Sequence, residues 1–198
     1  MGAEKPDRSA QPDAELVQLV LGGENDAFDE LVRRTRRPAY RLARRITRNH
    51  EDADDVLQES YIKAYRALAR FQSQRAFGPW FLTIVARTAL SQIRSGARRA
   101  AVALDAPGEG GIPLAERIAD PSQDPSERQR LIDVEQAFDR LSEEHRAILA
   151  LRVEGDLPYA DIAAALDVPI GTVMSRLARA REALLKEVEE LRAARFRR

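Results

Sequence analysis

Between Gly171 and Arg181 the chain carries no acid, and Thr172, Met174, Ser175, Arg176, Ala178 and Arg179 fall where a helix would project them outward. The chemistry open to that set is readout of duplex DNA. An α-helix fits the major groove, an arginine fork matches a guanine edge, and an apolar Met174 or Ala178 can meet a thymine methyl group. An ordinary helical hairpin with solvated arginines is the competing reading. A second set lies upstream, where Arg33, Arg34, Arg36, Arg37, Arg41, Arg44, Arg45 and Arg48 occur with no acid among them and Glu51, Asp52, Asp54, Asp55 and Glu59 follow at once. Basic and acidic surfaces are therefore segregated, although 32 acids balance 32 bases overall. Other chemistries lack parts. Without cysteine there is no disulfide, thiol nucleophile or thiolate zinc site, and His50 and His145 leave little for a metal or a triad, so no catalytic residue, metal or cofactor is expected. Asp54 and Asp55 would point about 100° apart on a helix, which argues against a paired-carboxylate hydrolase.

The elements that must position these residues are all helical. Asp13 is placed to cap a short helix ending near Gly22 and Gly23. From Asp26 the apolar positions Phe28, Leu31 and Val32 keep helical spacing, Pro38 breaks or restarts the helix, and Ala39, Leu42 and Ile46 continue the period. From Glu51 to Ala69 one face carries Ala53, Val56, Leu57, Tyr61, Ile62, Tyr65 and Leu68, and the other Asp52, Asp55, Glu59, Lys63 and Arg66. A third run spans Phe77 to about Ser95, with Trp80 and Phe81 spaced for a bundle core. Ser142 caps a later helix. Tyr159 to Leu166, the turn Asp167 to Pro169, and a helix from Ile170 then form a helix-turn-helix, with Ala163 small enough for a close crossing and Asp167 tolerant of a left-handed turn.

Residues 1–12 are polar with two prolines and read as disordered, and residues 100–125, rich in proline and glycine, read as a flexible linker too long for an ordinary loop. The fold class is all-α, with two small helical domains at 13–99 and 126–198 on a tether. The longest nearly uncharged apolar stretch, Phe77 to Ala86, falls far short of the ~20 residues a bilayer span needs. With Glu4, Lys5 and Asp7 at the N-terminus in place of an apolar signal core, a cytoplasmic protein without membrane insertion is expected.

Glu51-Asp52-Ala53-Asp54-Asp55-Val56-Leu57-Gln58-Glu59-Ser60-Tyr61-Ile62-Lys63-Ala64-Tyr65-Arg66, followed by Phe77-Gly78-Pro79-Trp80-Phe81-Leu82-Thr83-Ile84-Val85-Ala86, resembles sigma region two. Leu157-Pro158-Tyr159-Ala160-Asp161-Ile162-Ala163, with Gly171-Thr172-Val173-Met174-Ser175-Arg176-Leu177-Ala178-Arg179-Ala180-Arg181-Glu182, resembles sigma region four. The likeness covers about residues 14–99 and 126–188 and is to the two-domain extracytoplasmic-function sigma factors of bacteria. It implies an alternative sigma factor, active in stress response, that binds the RNA polymerase core, recognises the minus-thirty-five and minus-ten promoter elements and promotes initiation. It also implies docking on the β′ clamp coiled coil through Asp55, Gln58 and Glu59, a contact with the β flap, and an anti-sigma factor as a further partner. Phe71, Gln72, Ser73, Arg75 and Arg87 fall at the minus-ten positions, and Thr172, Met174, Ser175, Arg176, Ala178 and Arg179 at the minus-thirty-five positions. Three residues depart from the pattern: Arg87 stands where relatives commonly have asparagine, Met174 where they often have arginine or lysine, and Pro158 where they have a capping serine.

The acid stripe has a second reading, in which carboxylates near a helix N-terminus offset its dipole, and this suits Asp52 better than Glu59. The stripe Arg37, Arg41, Arg44 and Arg48 is either a solvated face or a contact with phosphates or polymerase. Residues 96–127 could extend to about 100 Å, more than the roughly 70 Å of two duplex turns, so two weak DNA contacts can act as one. A chain of zero net charge should bind DNA poorly alone and depend on polymerase for affinity. The alternative function is a stand-alone helix-turn-helix regulator that footprints a palindrome without polymerase.

Overall fold

The structure, a computed structural model, describes residues 7–72, 76–102 and 124–196. Among these residues every regular element is helical. The first group comprises α1 (Asp13–Leu21), α2 (Asp26–Thr47), α3 (His50–Ala67), a 3-10 turn (Leu68–Arg70) and α4 (Phe77–Val102). The second comprises α5 (Pro125–Arg140), α6 (Glu143–Val153), α7 (Tyr159–Leu166) and α8 (Ile170–Phe196). Of the linker read at 100–125, residues 103–123 lie outside the described set, as do residues 1–6 of the N-terminal segment.

In the first group α2 packs on α1, α3 and α4. Leu31, Leu42 and Ile46 of α2, Val56 and Ala64 of α3, and Phe77, Phe81 and Val85 of α4 are buried together. The Phe81 ring stacks on Tyr61 at 4.5 Å between centroids and on Phe77 at 5.9 Å, contacts that add to the hydrophobic gain of burying the rings. In the second group α8 lies across α5, α6 and α7, closing Ile148, Leu151, Ile162, Val173 and Leu177 into the core. The two groups also meet each other, with α2 against α6, and α4 against α6 and α7.

Several local expectations give way to tertiary packing. Pro38 does not break α2, which runs unbroken for 22 residues. Proline removes one N–H and crowds the carbonyl four residues back, a cost of about 3 kcal/mol that the burial of Leu31, Ala39, Leu42 and Ile46 along the same helix offsets. Asp13 is the first residue of α1 and caps nothing; its carboxylate instead accepts from Arg34 Nη1 at 2.7 Å. Arg34 Nη2 donates to the carbonyls of Arg8, Ser9 and Gln11 at 3.1, 2.9 and 2.8 Å, so residues 8–11 are tied back onto α2. On α3, Ile62 and Tyr65 face outward, and the buried face is Ala53, Val56, Leu57, Ser60 and Ala64. Small Ser60 and Ala64 allow α3 to approach its neighbours more closely than isoleucine or tyrosine would. Helix α4 continues past Ser95 to Val102, since arginine and alanine are strong helix formers and one glycine costs only about 1 kcal/mol.

Glu30 is held by three hydrogen bonds of 2.7 Å, two from Arg33 and one from Arg34. These bonds push its carboxyl down to about 2 from the ordinary 4.5. A carboxylate with a depressed folded-state pKa contributes stability above its unfolded value and loses it as pH falls through the folded one. Glu30→Gln should therefore flatten the decline in stability between pH 4.5 and about 2, measured by urea unfolding at fixed pH values. An unchanged slope in that window would contradict the assignment.

Candidate nucleic-acid interface

Helices α7 and α8 meet at Asp167, whose φ of 55° and ψ of 50° turn the chain in the left-handed region, and the Val168 N–H closes onto the Ala163 carbonyl at 3.0 Å. Aspartate is among the few non-glycine residues for which this conformation is cheap. Ile162, Ala163, Val173 and Leu177 are buried at the crossing, which fixes the opposite face of α8 toward solvent. That face presents Met174, 62 % exposed, with exposed Ser175, Ala178 and Arg179 and half-buried Thr172 and Arg176. Ser175 Oγ donates to the Thr172 carbonyl at 3.0 Å, and Thr172 N–H to the Pro169 carbonyl at 2.9 Å. All six positions expected to read DNA thus share the first three turns of one helix. Pro158 occupies the position before α7 with an extended backbone and no side-chain cap.

The second candidate surface lies on α3. Asn49 caps the helix by accepting from the Glu51 N–H at 3.0 Å, and Asp55, Gln58 and Glu59 are exposed. Asp55 and Glu59 form one wall of a crevice whose other wall is Thr88, Ser91, Gln92 and Ser95 of α4. Lys63 bridges the two helices, with Nζ 2.7 Å from Glu59 and 3.2 Å from Thr88 Oγ1. Asp52 accepts from Gln92 Nε2 at 2.9 Å, so it is occupied within the domain. The unspent charge of the stripe is centred on Asp55.

The minus-ten positions are more dispersed. Phe71, half-buried, packs against Trp80 at 5.0 Å and Phe77 at 5.9 Å between ring centroids. Gln72 is exposed, and Ser73 and Arg75 lie outside the described residues. Phe81 is fully buried, as its spacing predicts, and Trp80 is partly so. Arg87 reaches into the other helical group, where Nε donates to the Ala164 carbonyl at 3.0 Å and Nη2 donates to the same oxygen. Of the arginine stripe, Arg37, Arg41 and Arg48 are exposed and Arg44 is buried. Sequence spacing overlooked Arg45, whose guanidinium grips Glu135 through Nη1 at 2.5 Å and Nη2 at 2.6 Å, and Glu154 through Nε at 3.1 Å. Burial alone would pull this guanidinium down, and the Glu135 and Glu154 carboxylates more than compensate, leaving its pKa above the ordinary arginine value.

The family description Sigma-70 region 2 matches residues 31–99, and Sigma-70, region 4 matches residues 131–184. The ECF RNA polymerase sigma factor SigM of Mycobacterium tuberculosis is 38 % identical over 180 residues, covering 90 % of this chain and 86 % of the relative. The chain belongs to the extracytoplasmic-function sigma factors. The RNA polymerase sigma-H factor of Pseudomonas aeruginosa is 35 % identical to this sigma factor over 185 residues, covering 91 % of it and 96 % of the relative. A chain in the complex of the sigma factor RpoE with the anti-sigma factor NepR from Bartonella quintana shares the fold at a TM-score of 0.66 and 23 % identity, over 83 % of this chain and 98 % of that one. As an alternative sigma factor the protein initiates transcription. The stand-alone regulator is set aside, because the region 2 match accounts for the domain that reading had given to dimerisation or ligand sensing. No helix among the described residues is long and apolar enough to cross a membrane.

Met174 is the most exposed side chain of the α8 face and carries no charge. Met174→Arg should shift the preferred upstream element toward guanine at one position, read by selection from a randomised duplex in the presence of core polymerase. An unchanged preference would remove Met174 from the readout face.

Proposed function

We propose that residues 13–99 dock on core RNA polymerase and engage the minus-ten element, and that residues 126–198 read the minus-thirty-five element. Asp55, Gln58 and Glu59 meet the β′ clamp coiled coil; Phe71, Gln72, Ser73, Arg75 and Arg87 hold minus-ten DNA; Thr172, Met174, Ser175, Arg176, Ala178 and Arg179 enter the upstream major groove. The second domain also meets the β flap, the protein works in the cytoplasm in stress response, and an anti-sigma factor restrains it. It performs no covalent chemistry of its own.

The observation that carries this reading is the exposure of two unlike faces on separate domains, an acidic one on α3 and an acid-free one on α8. Each suits a different polymer: a carboxylate stripe suits a basic protein helix, and an arginine-bearing helix suits DNA. A single recognition helix supplies only a few kcal/mol of base discrimination, since each good bidentate pair gives about 1–3 kcal/mol. A partner that holds both domains on one duplex is required for selectivity.

Run-off transcription on genomic fragments, with purified core polymerase and this protein, should yield discrete initiation products; none from any fragment with a folded protein would overturn the reading. Asp55→Lys should weaken core binding by about tenfold or more in a fluorescence titration while leaving α3 folded, because the side chain is exposed and outside the core. Unaltered core affinity would take Asp55 off the docking surface.

A further inference from the structure

The two domains are clasped to each other at two points, and both points use an arginine of the first domain. Arg45 lies only 16 % exposed between Glu135 and Glu154, its guanidinium 4.8 Å above the Phe138 ring, and Arg41 adds a 3.3 Å contact with Glu154. Arg87 donates to the carbonyl of Ala164 in the last turn of α7, one of the carbonyls a helix leaves without an internal partner and where its dipole is negative. Between these points α7 stands against α4, leaving a crevice of about 420 Å³ with Trp80, Thr83 and Arg87 on one wall and Pro158, Asp161 and Ala164 on the other. A DNA strand approaching Thr83 and Arg87 would have to occupy the place of α7.

The clasp also conflicts with the geometry of a promoter. Ala164 precedes the start of α8 at Ile170 by six residues, a span of at most about 20 Å. Arg87, on Ala164, is therefore far closer to the recognition helix than the roughly 70 Å of two duplex turns. The clasped chain cannot lay α4 and α8 on both elements at once. The α3 stripe and the α8 face, by contrast, stay open: Asp55, Gln58, Glu59, Met174, Ser175 and Arg179 are all exposed.

We propose that the free protein is self-masked, α7 of the helix-turn-helix covering the α4 face around Thr83 and Arg87, with Arg45 as the latch. Polymerase docks on the open α3 stripe of the masked chain first, and release of α7 follows. This rests on the promoter-binding reading above, since masking matters only if α4 meets DNA.

The absence of cysteine in the chain allows a clean test on the full-length protein. Arg41→Cys and Val153→Cys place two thiols at exposed positions flanking the latch without touching Arg45, Glu135 or Glu154. A short reducible bis-maleimide should join them efficiently in the free chain. Arg45→Glu should cut the yield of that crosslink about tenfold, and adding Glu135→Arg should restore it. The crosslinked protein should still bind core polymerase but give run-off product at a tenth or less of the uncrosslinked level, recovered when the linker is reduced. A failure to crosslink, a yield indifferent to Arg45→Glu, or full transcription by the crosslinked chain would overturn self-masking, and loss of core binding by the crosslinked chain would overturn the order of events. Failure of the uncrosslinked chain to transcribe would instead sink the promoter reading, which the crosslinking yield does not depend on.

Discussion

Taking a guanidinium out of water is costly, and only well-placed carboxylates return the energy. Arg45 is in that position, with a fork matched to both oxygens of Glu135 and its third nitrogen on Glu154. The acids come from α5 and from the residue that ends α6, and the arginine from α2, so this contact sets how the two helical groups sit on each other. Each group has its own apolar centre and its own capping. The orientation between them hangs on a few polar contacts, the kind of interface that can open without either fold being lost.

That division suits a sigma factor. The helices that carry the proposed contacts each use one face for the core and leave the other free, as α8 does with Val173 and Leu177 inward and Met174 and Ala178 outward. Neither face is strong enough alone to select a promoter, and zero net charge removes the general attraction that could compensate. Affinity must then come from a third body that binds both domains. The clasp adds a second reason why the free chain is a poor DNA binder, because it places Arg87 on a protein carbonyl.

Much of this was legible in the sequence where the determinants are local. The helix-turn-helix follows from apolar spacing and a single turn residue, and Asp167 adopts the left-handed conformation expected of it. Ser142 caps α6 as anticipated, accepting from the His145 N–H. The exposed candidate residues on α3 and α8 follow from helical period alone. What escaped notice depends on partners distant in the chain. Arg45 pairs across 90 and 109 residues, which no local pattern reveals. Ile62 and Tyr65 look like core residues by type, yet close packing of α3 favours Ser60 and Ala64 inside. Pro38 punctuates a sequence but not a helix already buried along one side, and Asp13 gave up a cap for an ion pair with Arg34.

The central claim is that two weak readers become selective only on the polymerase. Footprinting of the preferred promoter fragment with the pure sigma factor, with core alone and with both together tests it most directly. Protection of two elements about two duplex turns apart, seen only with both components, is the predicted result. Equal protection of the same elements by the sigma factor alone, at the same concentration, would contradict it.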